Sequence, residues 1–300
     1  MIPNFSAVPD FLEQKGMIFD RKYQEILSHM GLDSFESVWH HQGGETIKQI
    51  QARSVICIEG ELNGEKTRFF LKKHTPEKPE MTRLPALFFP SSPLSQGMKE
   101  FRNMCDFRKH GIWTAPPVAA GEKFMGRGQI ASFLITEDAA PFVSLEDLLR
   151  NQPEFFKGRE GAARKKHLLH EIALWARKMH QSGFNHRDFN ATHILLGYDE
   201  ESDIPKLALF DLQRVDRKSF LRFFWMIKTL AELSYTLSDT LFDEKDRTAL
   251  FLSYREKTAL NLWDRLQLAW VRRKTDRIRC HTENILARRA ERRRKGLPER

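Results

Sequence analysis

Cysteine is scarce, with three in 300 residues, at Cys57, Cys105 and Cys280. An odd number, widely spaced and outside any C-x-x-C pattern, excludes a disulfide framework and a cysteine-built zinc site. Reduced thiols in the cytoplasm are the expectation. Long apolar runs are missing as well. No stretch approaches the roughly 18 uncharged apolar residues of a spanning helix. The most apolar region, Phe220 to Leu233, is interrupted by Arg222, Lys228 and Glu232, so it reads as a buried helix. The opening residues, MIPNFSAVPDFLEQK, have no basic start followed by an apolar core, and Asp10 and Glu13 break them up. That is not the pattern of a signal peptide. Internal repeats and low-complexity runs are also absent before the basic C-terminal end.

Charge is plentiful, at 30% of residues, and the net value is +9. It is unevenly placed. Residues 271–300 hold twelve Lys or Arg against four Asp or Glu, a net +8. The body of the chain is therefore close to neutral, and only its end is a candidate for anionic partners. The dense cluster Arg288-Arg289, Arg292-Arg293-Arg294-Lys295 reads either as a solvated helix face or as a site attracted to anionic lipid headgroups. Nucleic acid is the weaker third option, because no recognition motif accompanies the charge.

With 41% hydrophobic residues the chain is long enough for one large domain or two lobes. Residues 1–38 read as a mixed helical lead-in, with Ile26, Leu27 and Met30 at helical spacing. A strand-rich region, residues 39–137, follows. It contains Ile47–Ile58 and Thr67–Leu71, joined by the hairpin pair Asn63-Gly64. Prolines at 76, 79, 85, 90 and 93 mark residues 74–97 as a long loop. Met98 to His110 is helical and stopped by Gly111, and Phe133–Thr136 is a strand. Residues 138–270 are mostly helical. Ser144 with Asp147 signals a helix start, and Ala163–Gln181 puts Leu168, Leu169, Ile172, Trp175, Ala176 and Met179 on one face. Residues 271–300 form the basic tail. Strands first and helices second predict an α+β fold in two lobes.

The chemistry-bearing string is Gly183-Phe184-Asn185-His186-Arg187-Asp188-Phe189-Asn190-Ala191-Thr192-His193-Ile194-Leu195-Leu196, after the amphipathic helix. About fifteen residues on, Leu207-Ala208-Leu209-Phe210-Asp211 is another apolar strand that ends in a carboxylate. Phosphoryl transfer asks for this layout. One carboxylate orients the acceptor hydroxyl and takes its proton, and a second carboxylate with one further group holds a metal on the phosphates.

This pattern resembles the protein-kinase-like superfamily, whose catalytic loop is H-R-D with Asn five residues after the Asp. His193 occupies the Asn position, and H-R-D-F-x-x-x-H-I-L-L is most similar to the lipopolysaccharide core kinases, the Kdo/heptose kinase group. Met179-His180-Gln181-Ser182-Gly183 also resembles that family's helix end. The resemblance spans about residues 45–255. It implies a bilobal protein-kinase-like fold, with Asp188 as catalytic base, Asp211 as main metal ligand and His193 as second metal-site or phosphate-side group. The implied cofactors are ATP and Mg2+, with Mn2+ an option because imidazole suits softer ions. The implied acceptor is a sugar hydroxyl (heptose or Kdo) of the lipopolysaccharide inner core, a lipid-anchored glycan met at the cytoplasmic face of the inner membrane.

Phe69-Phe70-Leu71-Lys72 matches the V-A-I-K strand position by position, which makes Lys72 the phosphate-gripping cation and Glu100 its helix-borne partner. The alternatives are an exposed Lys72-Lys73 pair and a surface Glu100. Alternation along a strand sends only one of the two lysines to each face. Glu137 falls where an interlobe hinge meets adenine, and its side chain reads as solvated. Arg214 is either phosphate-facing or a plain surface arginine.

Two departures narrow the substrate. No G-x-G-x-x-G is present, and Gly43-Gly44 only lies near its place. Asp211-Leu212-Gln213-Arg214 stands where protein kinases have D-F-G, and no A-P-E follows, so a peptide-docking platform does not fit. A small-molecule or antibiotic phosphotransferase would show H-G-D with a downstream Asn. A non-catalytic binding module of the same fold would not need Lys72, Asp188 and Asp211 together.

Overall fold

The structure is a computed structural model. It describes residues 9–62, 64–78, 95–126, 128–198, 204–217 and 222–296. Most of the proline-rich loop expected over 74–97 lies outside these residues, as do Asn63, Phe220 and Leu221. The chain divides into two compact units, residues 1–142 with 208–214, and residues 143–207 with 215–300.

The first unit is built on an antiparallel seven-stranded sheet. Its strands are β1 (Phe11–Gln14), β2 (Met17–Asp20), β3 (Glu45–Ile50), β4 (Arg53–Leu62), β5 (Glu65–Glu77), β6 (Pro117–Phe124) and β7 (Ile130–Glu137). Their spatial order is β1-β2-β6-β7-β5-β4-β3. The helical lead-in needs correction here, because Phe11–Gln14 and Met17–Asp20 are strands that extend the sheet. Lys15 and Gly16 between them both have positive φ, 50° and 76°, the requirement of a tight two-residue hairpin turn. Helices appear only afterwards, as α1 (Gln24–His29) and α2 (Phe35–His40), the second closed by a capping box between Ser34 and Ser37. Tyr23, Leu32, Phe69, Leu71 and Phe133 are fully or almost fully buried in the core beside these helices, each contributing about 1.5–3 kcal/mol.

The β4–β5 hairpin positions the site. Leu62 faces Glu65 across Gly64 (φ 80°), so the register continues as Val55 opposite Lys72 and Arg53 opposite His74. Period-2 alternation then puts Arg53, Val55, Lys72 and His74 on one face of the sheet. Phe69, Leu71 and Lys73 lie on the other. Helix α3 (Gln96–Lys109) is capped by Ser95, whose hydroxyl accepts the Met98 N–H at 3.3 Å, and it ends before Gly111 (φ 65°).

The second unit opens with the short strand β8 (Val143–Ser144) and α4 (Leu145–Asn151). Ser144 caps α4 by accepting the Asp147 N–H at 3.0 Å. Helix α5 (Gly158–Gln181) buries Leu168, Leu169, Ile172, Ala173, Ala176 and Met179 on one stripe. Next come β9 (Phe184–His186) and β10 (Ile194–Gly197), the latter antiparallel to β8. The chain re-enters the first unit within β11 (Lys206–Leu209) and returns through β12 (Val215–Arg217), which pairs with β9. Helices α6 (Arg222–Thr236), α7 (Glu244–Arg255) and the 33-residue α8 (Leu262–Arg294) complete the unit. Most of the basic tail is thus the continuation of a long helix. The region read as a buried helix is buried at Trp225, Met226 and Leu230, but Phe224 is 65% exposed.

Candidate active site

Within the first unit, three distant stretches of sequence meet at one charge cluster. Lys72 Nζ on β5 lies 2.9 Å from both carboxylate oxygens of Glu100 on α3 and 3.2 Å from Asp211 Oδ1. Glu100 is only 2% exposed, so the surface alternative for it is excluded. Lys73 points to the other face and donates to the backbone carbonyls of Trp39 (2.9 Å) and His41 (2.6 Å). That excludes the exposed-pair alternative.

Asp211 has a left-handed backbone, φ 57°, which costs a non-glycine residue on the order of 1 kcal/mol. Its surroundings hold it there. Arg53 donates to both carboxylate oxygens at 3.3 and 3.5 Å, and buried Asn103 on α3 donates to the Leu212 carbonyl at 2.7 Å. Sequence reasoning missed Arg53 and Asn103. For Arg53 a signal existed: the sequence pair Asn63-Gly64 predicts a hairpin register, and with it the face on which Arg53 sits. Arg214, just beyond, is exposed.

Glu137 ends β7. Its carboxylate accepts the Tyr23 hydroxyl and lies 3.5 Å from Lys22 Nζ, and its N–H donates to Pro116 O at 2.9 Å. The side chain is therefore engaged and not solvated. Gly44 (φ 103°) approaches β4 so closely that a Cβ there would lie 2.4 Å from the Cys57 carbonyl, a packing reason for that glycine. The turn joining β3 and β4, Gln51-Ala52, contains no glycine.

In the second unit the H-R-D string leaves β9 as a tight loop. The Asp188 N–H donates to His186 Nδ1 at 3.2 Å. His193 Nδ1 lies 2.9 Å from the Asp188 carbonyl. A carbonyl only accepts, so Nδ1 carries the hydrogen and the neutral ring has its lone pair on Nε2. A backbone carbonyl orienting one ring nitrogen is the usual support of a metal-binding imidazole. The His186 and His193 rings stack, with centroids 5.8 Å apart.

A directional hydrogen-bond chain anchors this loop to the helices. Tyr254 and Thr229 flank buried His180, with its Nδ1 2.7 Å from the Tyr254 oxygen and its Nε2 3.1 Å from Thr229 Oγ1. Thr229 donates to Asn185 Oδ1, and Asn185 Nδ2 donates to Asp216. Arg187 closes the chain with a two-pronged contact to Asp216 at 2.6 and 2.9 Å. Burial alone would raise the Asp216 carboxyl, but Arg187 and Asn185 outweigh it and hold it below the usual range. Asp216 was not legible in the sequence, because its partnership depends on the β9–β12 pairing.

Two buried histidines make the fold acid-sensitive. Burial lowers His74 to about 4, helped by the Lys72 and Arg53 cations against the pull of Asp211. Burial likewise lowers His180 to about 3. In the unfolded chain both titrate near 6.5. Between the folded and unfolded values the unfolded state binds more protons, so stability falls as pH falls below about 6.5. By pH 5 each ring costs on the order of 1–2 kcal/mol. Thermal unfolding should show a clearly lower midpoint at pH 5 than at pH 7, with a smaller difference in His180→Gln. An unchanged midpoint would refute the assignment.

The donor set fits a magnesium nucleotide. Within the first unit, Asp211 offers hard oxygen ligands and Lys72 a cation for phosphate. Among the described residues no cluster of three or more His, Cys, Asp or Glu is gathered to hold a metal by itself.

Comparisons with known proteins converge on one family. The sequence model of the lipopolysaccharide kinase (Kdo/WaaP) family matches residues 80–254. Lipopolysaccharide core heptose(I) kinase WaaP of Escherichia coli is 30% identical over 223 residues, covering 72% of this chain and 79% of that protein. Its namesake in Pseudomonas aeruginosa is 26% identical over 254 residues, covering 83% and 91%. A solved structure of WaaP in complex with acyl carrier protein superposes with a TM-score of 0.64 at 23% identity, over 87% of this chain and 98% of that one. The fold is accordingly the protein-kinase-like α+β fold, strand-rich first and helical second. With more than half of its length matched, the chain belongs to the lipopolysaccharide kinase (Kdo/WaaP) family and is an ATP-dependent kinase.

Proposed function

We propose that this kinase transfers the γ-phosphoryl group of ATP to a hydroxyl of the first heptose of the lipopolysaccharide inner core. The heptose(I) activity of the curated relatives supports heptose over Kdo. The lipid-anchored acceptor would be met at the cytoplasmic face of the inner membrane. No helix among the described residues is long and apolar enough to cross a membrane.

The roles follow the chemistry of each group. Lys72, steadied by buried Glu100, neutralises phosphate charge. Asp211 would carry the metal, and the His193 Nε2 lone pair would serve it. Bound magnesium supplies charge neutralisation on the transferring phosphoryl group. Asp188 orients the acceptor hydroxyl and accepts its proton, and the segment beginning at Glu137 meets adenine. Residues 39–137 are then the nucleotide-gripping lobe and residues 138–270 the catalytic lobe.

The observation that carries this reading is the Lys72–Glu100–Asp211 cluster. A cation flanked by two carboxylates, one nearly fully buried and one on a strained backbone, is the arrangement that phosphate and metal binding require. The test is ATP turnover on purified core glycolipids that carry or lack the first heptose. Phosphorylation is expected only where that heptose is present. Turnover on a peptide or an aminoglycoside, with none on any glycolipid, would overturn the assignment.

A further inference from the structure

Helix α8 buries Asp264, Gln267, Leu268, Val271 and Thr275 in its own unit, packed on α6. Turned well away from that stripe are Leu262, Trp263, Leu266 and Trp270, which are 77%, 54%, 48% and 50% exposed. Spacings of four and eight residues for Leu262, Leu266 and Trp270, and of three and seven for Trp263, set them along one face of the helix. Phe223 of α6 fixes this ridge: its ring stacks with Trp263 at 6.3 Å and meets Trp270 edge-on at 5.5 Å. Phe224, 65% exposed, extends the ridge. Large aromatic rings held rigid in water mark a contact surface.

The same line continues into charge. At 100° per residue, Arg273, Arg277 and Arg288 fall in the sector of Leu266 and Trp270, and all three are exposed. None of the three makes an ion pair among the described residues. The acidic residue in that sector, Glu291, is paired with Lys295. From Leu262 to Arg288 the stripe runs roughly 40 Å, aromatic at one end and cationic at the other.

We propose that this stripe docks the chain in the plane of an anionic lipid surface, with the tryptophans at headgroup depth and the arginines on lipid phosphates. Indole rings combine an apolar body with an N–H donor and favour that boundary. A helix lying flat presents a line of this kind to a plane. A globular partner instead asks for an apolar centre ringed by polar groups, and here the two parts lie end to end. The inference extends beyond the basic tail to an aromatic anchor upstream of it. It does not depend on the acceptor's identity: vesicle binding without turnover on any glycolipid would sink the proposed function and leave docking standing.

The test uses the full chain with vesicles of phosphatidylethanolamine and phosphatidylglycerol, against phosphatidylcholine alone. Wild type should co-sediment with the anionic vesicles, and brominated acyl chains should quench its tryptophan fluorescence. Trp263→Ser with Trp270→Ser should lose about tenfold in partitioning together with most of the quenching. Arg273→Gln with Arg277→Gln and Arg288→Gln, which leaves the packing untouched, should lose on the order of a hundredfold at low salt and change nothing on neutral vesicles. Binding of both variants equal to wild type would overturn the proposal. So would a wild type that ignores vesicles but uses the stripe to dimerise, or to capture purified acyl carrier protein.

Discussion

Replacing Asp188 by asparagine should lower turnover by about two to four orders of magnitude while leaving nucleotide affinity and the unfolding midpoint near wild type. The loop around Asp188 is pinned through its backbone. Its N–H goes to His186 Nδ1 and its carbonyl receives the His193 Nδ1–H. Asparagine keeps both groups and nearly the same shape. What it loses is the negative charge, which in the proposed role orients the acceptor hydroxyl and takes its proton. Single-turnover kinetics with titrated nucleotide binding separate these effects. A variant that turns over at half the wild-type rate, or that no longer binds nucleotide, contradicts the role assigned to Asp188.

Lys72→Met should cost both activity and stability, and the two losses should be separable. Glu100 is almost fully buried, with Lys72 Nζ 2.9 Å from both of its oxygens. Removing the cation strands a buried carboxylate, a loss of about 3–5 kcal/mol. The cation proposed to meet the phosphates also disappears, so kcat/KM should fall at least about a hundredfold. Pairing Lys72→Met with Glu100→Leu removes the stranded charge. Much of the stability should return in denaturant melts, with no return of activity. Recovery of both in the double variant would mean that the ion pair is purely structural.

The chemistry-bearing string was legible because its parts are spaced along one stretch of chain. H-R-D, His193 five residues on from Asp188 and Asp211 at the end of an apolar strand need no tertiary knowledge to be seen together. The choice between Lys72 and Lys73 was half legible. Alternation says that they face opposite ways, and only the Trp39 and His41 carbonyls on one side and Glu100 on the other show which lysine does what. Arg53 was within reach, since the sequence pair Asn63-Gly64 predicts its register, but a strand arginine carries no signal of its own. The lead-in was misread because Ile26, Leu27 and Met30 have helical spacing. The two four-residue strands before them are too short for alternation to outweigh it, and their turn, Lys15-Gly16, lacks the usual Asn or Asp.

By itself, then, the amino-acid sequence determined the strand-then-helix order, the family likeness, the candidate residues Asp188, His193 and Asp211, and a cationic C-terminal end. These are properties of local spacing and side-chain chemistry. The fold alone decided that Glu100 and Arg53 flank Lys72 and Asp211, that Asp216 locks Arg187, and that Phe223 props Trp263 and Trp270 into an exposed ridge. Each of these contacts joins residues far apart along the chain. Which side chains meet there depends on strand register and helix packing, and those are set by burial of the whole core.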